Sequence, residues 1–293
     1  MFFKNLFKKK NCPNPKSIFI GLIGGVGDLV LAAPSVAALK KKYPDAMICF
    51  GVGAPPFYST IKNDPHIGKF ETPFFYNVWK ERERNSILKS KGKEYDRVIL
   101  LDNPDRDWWK KGKHLIDIYA EKCEVSLETR RPAVYLSAED EAQAESLLRQ
   151  HGISNGDKLI VLSPEVRSKK EVKEWPHQSF VRLIEQMRHC AKIIAFVSPA
   201  DCREYPGTIT IKDPPIGAAS VIIKRADLFI GLDNGLTHIA GAFDGKIVSI
   251  HIGFPGKCCG VLSPNAIVIE HEPFCPPDSI SVEEVYAKVK GLL

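Results

Sequence analysis

Short apolar runs rich in β-branched residues recur along the whole chain, and the segments between them carry apolar residues at helical spacing. The runs are Ser17–Ile23, Ala46–Val52, Arg97–Leu101, Lys158–Ser163, Lys192–Val197, Asp227–Leu232, Lys246–His251 and Ala266–Glu270. Such runs read as strands buried on both faces, and strands alternating with helices imply parallel βαβ sheets, an α/β fold. Ser137-Ala-Glu-Asp140 is a capping box that opens a helix, and Gly152 closes it. A second box, Ser281-Val-Glu-Glu284, opens a helix that runs to the C-terminus. The helix over 137–151 falls midway between two groups of strands, so two facing Rossmann-like lobes fit better than one very wide sheet. The expected divisions are a tail over 1–16, an N-terminal lobe over 17–136, a C-terminal lobe over 137–278 and a final helix over 279–293. Ligands of parallel sheets bind at the carboxyl ends of the strands, which places the chemistry in the loops that follow them.

Composition narrows the class without naming it. The chain has 293 residues, 44% hydrophobic and 26% charged, which excludes disordered, collagen-like and small disulfide-stapled proteins. Of the net charge of +6, most sits in residues 1–16, where Lys4, Lys8, Lys9, Lys10 and Lys16 stand without an acid beside Phe2, Phe3, Leu6 and Phe7. That makeup suits contact with an anionic membrane surface; the plainer alternative is a frayed basic terminus set off by Pro13 and Pro15. The remaining surplus is too small to suggest a nucleic-acid partner. The cysteines are scattered, some in apolar runs as at Cys49, and with no export signal a reducing cytoplasm is expected. Cys258, Cys259, His271 and Cys275 lie close in sequence but lack paired metal-ligand spacing, so no metal site is expected.

Three loops carry candidate chemistry. In the first, Gly24-Gly25-Val-Gly27-Asp28, the glycines let backbone approach a ligand; no Lys-Ser/Thr follows to make a phosphate-binding P-loop, and no acid ends the second strand to hold a ribose. Asp28 is either a helix cap or a general base at the mouth of a cleft. In the second, Lys173-Glu-Trp175-Pro176, Trp175 staples a helix with Pro176 in its first turn and packs on Phe180, Leu183 and Ile184. Lys173, just ahead of that helix, is placed to meet a phosphate, whereas Arg167, Lys169 and Lys170 read as a solvated basic loop. The third, Asp233-Asn234-Gly235-Leu-Thr237-His238, joins a strand to a helix of small residues. Gly235 and the first N–H groups of that helix form an anion cradle, to which Thr237 and His238 can add donors. His238 is equally readable as a core histidine.

Together and in this order the three loops resemble the heptosyltransferases of lipopolysaccharide core synthesis, glycosyltransferase family 9. The first resembles that family's opening strand-loop-helix through Pro34 and Tyr43-Pro44-Asp45-Ala46. The second resembles its mid-chain lysine motif, and the third its Asp-Ser/Thr-Gly…His motif. The resemblance implies a glycosyltransferase-B fold, with the N-terminal lobe on the acceptor side and the C-terminal lobe binding a nucleotide sugar. It implies inverting transfer of a heptose or related sugar from a donor such as ADP-heptose, with no cofactor and no obligatory metal. The acceptor would be lipid-linked or an oligosaccharide, met at the cytoplasmic face of the membrane. By position, Asp28 would be the general base and Lys173 would offset charge on the leaving diphosphate. Gly25, Gly27, Asp233, Asn234, Gly235, Thr237 and His238 would line the donor site. Departures from the family pattern are Asn234 in place of Ser/Thr, Ser163-Pro164-Glu165 in place of His-Pro-Gly, and Phe254-Pro255 in place of Pro-Thr. The competing classes are a non-catalytic nucleotide- or glycan-binding protein on a degenerate transferase fold, and an NAD-dependent oxidoreductase built on the first loop.

Overall fold

The structure is a computed structural model that describes residues 12–53, 55–200 and 203–293. The first lobe contains β1 (Ser17–Leu22), α1 (Val26–Lys42), β2 (Met47–Val52), β3 (Lys69–Glu71), α2 (Glu81–Glu94), β4 (Arg97–Leu100) and α3 (Leu115–Cys123). The second begins with α4 (Ala138–Gln150), β5 (Leu159–Ser163), α5 (Lys170–Lys173), α6 (His177–Met187), β6 (Lys192–Val197) and β7 (Ile209–Lys212). It continues through α7 (Ile216–Arg225), β8 (Leu228–Leu232), α8 (Gly235–Gly241), β9 (Lys246–His251), α9 (Gly256–Cys259), β10 (Ala266–Glu270) and α10 (Val282–Lys290).

Both sheets are parallel throughout, with strand orders β3-β2-β1-β4 and β10-β9-β8-β5-β6-β7. The second is the Rossmann order read from its far edge, and in each sheet the order reverses beside the first strand, β1 or β5. All eight expected strands are present. The edge strands β3 and β7 were not legible, because Lys-Phe-Glu and Ile-Thr-Ile-Lys each pair with one neighbour and stay partly exposed. The first capping box holds in both directions, Ser137 Oγ accepting from Asp140 N at 3.2 Å and Asp140 Oδ2 from Ser137 N at 2.8 Å; at the second, Ser281 Oγ accepts from Glu284 N at 3.1 Å, while the Glu284 carboxylate pairs with His271. The helix expected to contain Pro176 starts one residue later, with Pro176 as its cap.

Alternate residues of each strand feed cores on opposite faces. In the first lobe Ile18, Ile20 and Phe50 pack towards α1 and α3, while Phe19, Cys49 and Leu100 meet Phe74 and Tyr95. In the second, Ile160, Leu162 and Ile230 pack with α6 and α10, and Val161, Ile194 and Phe229 with α4 and α7. Val30 of α1 is buried in this last cluster, so the two lobes share apolar packing.

Residues 1–11 of the basic tail lie outside the described residues; at its end, Lys16 N and Ser17 N both donate to Asp96. Among the described residues no helix is long and apolar enough to cross a membrane.

Candidate active site

In each lobe a side chain ties together the two loops that diverge where strand order reverses. In the first lobe it is Asp102, just after β4: Oδ1 accepts from Ile23 N at 2.7 Å and Oδ2 from the Tyr76 hydroxyl at 2.6 Å. In the second it is Asn234, the cap of α8. Its Oδ1 accepts from Thr237 N at 3.1 Å, and its Nδ2 donates to Ser163 Oγ and to Glu165 O, both at 2.8 Å. The Asn234 amide is thus spent on holding the β5 and β8 loops, and the Thr237 hydroxyl donates to Leu232 O at 2.6 Å. The Glu165 carboxylate accepts from Ser198 N at 2.8 Å, which accounts for an acid at this point in the loop.

Gly25 caps α1, and Asp28 is the third residue of that helix. Its Oδ2 accepts from Gly25 N at 2.9 Å, so Asp28 does cap the helix, from inside its first turn. Its Oδ1 accepts from the Tyr119 hydroxyl of α3 at 2.7 Å. The loop must be glycine at position 24, where a Cβ would stand 2.6 Å from Asp28 Cβ. Burial pushes the Asp28 carboxyl above its ordinary range, against the opposing pull of Tyr119, Gly25 N–H and the Lys173 ammonium.

Lys173 is the last residue of α5. Its Nζ lies 2.7 Å from Asp233 Oδ2 in a nearly buried ion pair. Burial alone would lower the Lys173 pKa, but the charge and hydrogen bond of Asp233 together with the charges of Cys259 and Asp28 outweigh it, and the net shift is upward. Burial likewise opposes ionisation of Asp233, and Lys173, His251 and His238 overcome it, leaving the carboxyl below its usual range. His238 is 6% exposed, with Nε2 3.9 Å from Asp233 Oδ1, and burial drags its pKa down to about 4. It is a neutral imidazole at neutral pH.

The two lobes meet at these loops. A Cβ on Gly27 would lie 2.6 Å from His238 Cδ2 and 3.3 Å from Gly235 Cα, and one on Gly235 would lie 3.2 Å from Gly27 N. Only bare backbone allows this approach. Around it, His114 Nε2 donates to Gly260 O at 2.9 Å, while Phe254 stacks on Trp108 with centroids 5.9 Å apart. The Lys169 ammonium sits 4.3 Å above the Phe254 ring, so this lysine, though exposed with the rest of its basic loop, touches the junction. Gly25, Gly27, Asp28, Lys173, Asp233, Asn234, Gly235, Thr237 and His238 therefore gather at one junction.

The cysteines and histidine weighed as metal ligands are parted by the fold. His271 pairs with Glu284 at 3.2 Å, Cys258 Sγ donates to Trp109 O, and Cys259 Sγ donates to Asp233 Oδ2 at 3.7 Å. A different set, Asp233, His251 and Cys259, brings one ligand atom each within 4.8 Å of one another and could hold a metal ion. The Lys173 ammonium competes for the same carboxylate. Tyr119, Asp102 and His251 escaped the sequence reading: Tyr119 lies on the apolar face of α3 with Ile116, Ala120 and Cys123, where a tyrosine reads as core.

An open parallel α/β pair with a carboxylate on one lobe and a lysine on the other matches known proteins in fold. The chain superposes on the glycosyl transferase family 9 protein from Veillonella parvula DSM 2008 with a TM-score of 0.75 and 18% identity, covering 94% of this chain and 97% of that one. It superposes on E. coli ADP-heptose lps heptosyltransferase II at TM-score 0.69 and 16% identity (94% and 98% covered). For E. coli heptosyltransferase WaaC with ADP the values are 0.66 and 13% (94% and 100% covered). No curated protein matches at the sequence level. The fold is of the glycosyltransferase-B type. The sequence model of glycosyltransferase family 9 (heptosyltransferase) matches residues 112–279, a segment that holds both the Lys173 loop and the Asp233–His238 turn. With more than half its length matched, and two Rossmann-like lobes meeting at those loops, this chain belongs to glycosyltransferase family 9.

Proposed function

We propose that the protein is an inverting glycosyltransferase that moves a heptose or related sugar from a nucleotide-diphosphate donor such as ADP-heptose to a lipopolysaccharide-core or other glycan acceptor. The observation that carries this reading is the pairing across the lobes: an enclosed, hydrogen-bonded carboxylate, Asp28, within electrostatic reach of a nearly buried ammonium, Lys173. Inverting transfer needs that pair. As the acceptor oxygen bonds to the anomeric carbon and the bond to the diphosphate breaks, Asp28 takes the acceptor proton and Lys173 faces the charge growing on the leaving group. A base with a raised pKa holds the proton better near neutrality, and partial enclosure of Asp28 supplies that shift.

The first N–H groups of α8, at Gly235 and Leu236, precede the intrahelical bonds and can meet the diphosphate, with Gly25 and Gly27 letting backbone approach from the other lobe. Asp233 holds Lys173 in place, Asn234 and Thr237 shape the turn, and neutral His238 stands beside it. The contact of Gly27 with Gly235 and His238 fills the space between the loops, so the donor is admitted when the lobes part and is shielded from water when they close. Asp28→Ala should abolish transfer and leave nucleotide binding intact by calorimetry with ADP, UDP and GDP; near-normal turnover in that variant would remove Asp28 as the base. Residues 1–16 would keep the enzyme near an anionic, membrane-borne acceptor at the cytoplasmic face.

A further inference from the structure

We infer that Tyr119 is a positioning residue for the transfer reaction, orienting the Asp28 carboxylate and favouring its ionised form through the hydroxyl. The inference rests on reading Asp28 as the base. The Tyr119 ring is 2% exposed and packed in the core between α1 and α3, so its hydroxyl has one place to go. That place is Asp28 Oδ1, at 2.7 Å. The other oxygen is held by Gly25 N at 2.9 Å, so two donors from different elements fix the plane of the carboxylate. Each oxygen keeps a lone pair, and rotation that would turn them from the cleft breaks one bond or the other.

Tyr119 does not act as the base itself. Burial and the facing carboxylate hold its phenol well above the ordinary tyrosine range, so it remains a donor throughout. A hydrogen bond to a carboxylate favours the charged form, and in this site it opposes burial, which would otherwise leave Asp28 protonated over more of the working range. The other groups facing Asp28 are Gly25 N–H from its own helix, Lys173 from α5, Asp233 after β8 and Asp102 after β4, with His238 of α8 packed on the neighbouring Gly27. None of them is altered by removing the Tyr119 hydroxyl.

Tyr119→Phe keeps the ring and deletes only the donor. The acid limb of the kcat/KM profile should move to higher pH by about one unit, so that kcat/KM on that limb falls by up to about tenfold, with the loss recovered in alkaline buffer. A tyrosine that only filled space would lower the profile evenly and leave the limb where it was. Asp28→Asn is measured alongside. An inactive Asp28→Asn with a displaced limb in Tyr119→Phe supports the inference. An inactive Asp28→Asn with an unmoved limb in a folded Tyr119→Phe overturns it and leaves the base in place. An active Asp28→Asn overturns both.

Discussion

Gly27 of the first lobe lies under the His238 ring of the second so closely that a single methyl group on Gly27 would stand 2.6 Å from His238 Cδ2. The glycine loop that looks like a ligand cradle in sequence is also the seat of the lobe-to-lobe contact. Gly27→Ala should wedge the lobes apart, lowering kcat about tenfold or more and lowering the melting temperature, because Val30 of the same helix is buried in the second lobe's core. Small-angle scattering should report a larger radius for the variant in the absence of donor; an unchanged radius with full activity would contradict the account.

The Lys173–Asp233 pair should be as important to folding as to turnover. Lys173→Ala leaves a nearly buried carboxylate without its cation, which costs about 3–5 kcal/mol, whereas the double change Lys173→Met, Asp233→Leu should recover most of that loss. Denaturant titration of the two variants beside the parent tests this, and equal destabilisation in the single and double variants would argue against it.

Stability should fall with acidification as the buried imidazole titrates. Burial lowers the His238 pKa from 6.5 to about 4, so between those values the unfolded chain binds the proton more readily than the folded one. His238 thus contributes a loss of about 3 kcal/mol as pH drops through that window. Asp28, raised in the folded state, works in the opposite sense from its ordinary value of 3.8 upward, within the same window, and below that value Asp233, depressed in the folded state, adds a further loss. Unfolding free energies of His238→Gln should show a visibly shallower slope between pH 6.5 and 4 than the parent; parallel slopes would remove His238 as the source.

Asn234→Ser keeps a cap acceptor for α8 but removes the donor that reaches Ser163 and Glu165. The expected result is a loss of about 1–2 kcal/mol and a weaker donor Kd, with kcat less affected. A variant with parental Kd would mean that the two loops are held without the amide.

Removing residues 1–13 should weaken sedimentation with vesicles of anionic lipid without unfolding the protein. Equal sedimentation would assign the basic charge of this segment to no membrane role.

What the chain determines by itself is the part of the structure that rests on local rules. Apolar runs such as Ile247–Ile250 can only be strands covered on both faces, Ser137 and Ser281 mark helix starts through their own hydroxyls, and the three loops sit after strands as their glycines and acids suggest. Tertiary structure decided who meets whom. Lys173 and Asp233 are sixty residues apart, and only the parallel order β5-β8 in the second sheet brings their loops together. Tyr119 and Asp102 read as core and strand end because the partner of a buried hydroxyl or carboxylate lies on another element, and spacing along the chain carries no trace of it. Gly27 was legible as a place of close approach and Gly235 as part of an anion cradle; that the group approaching each is the other lobe follows from packing, which depends on distances through space and not along the sequence.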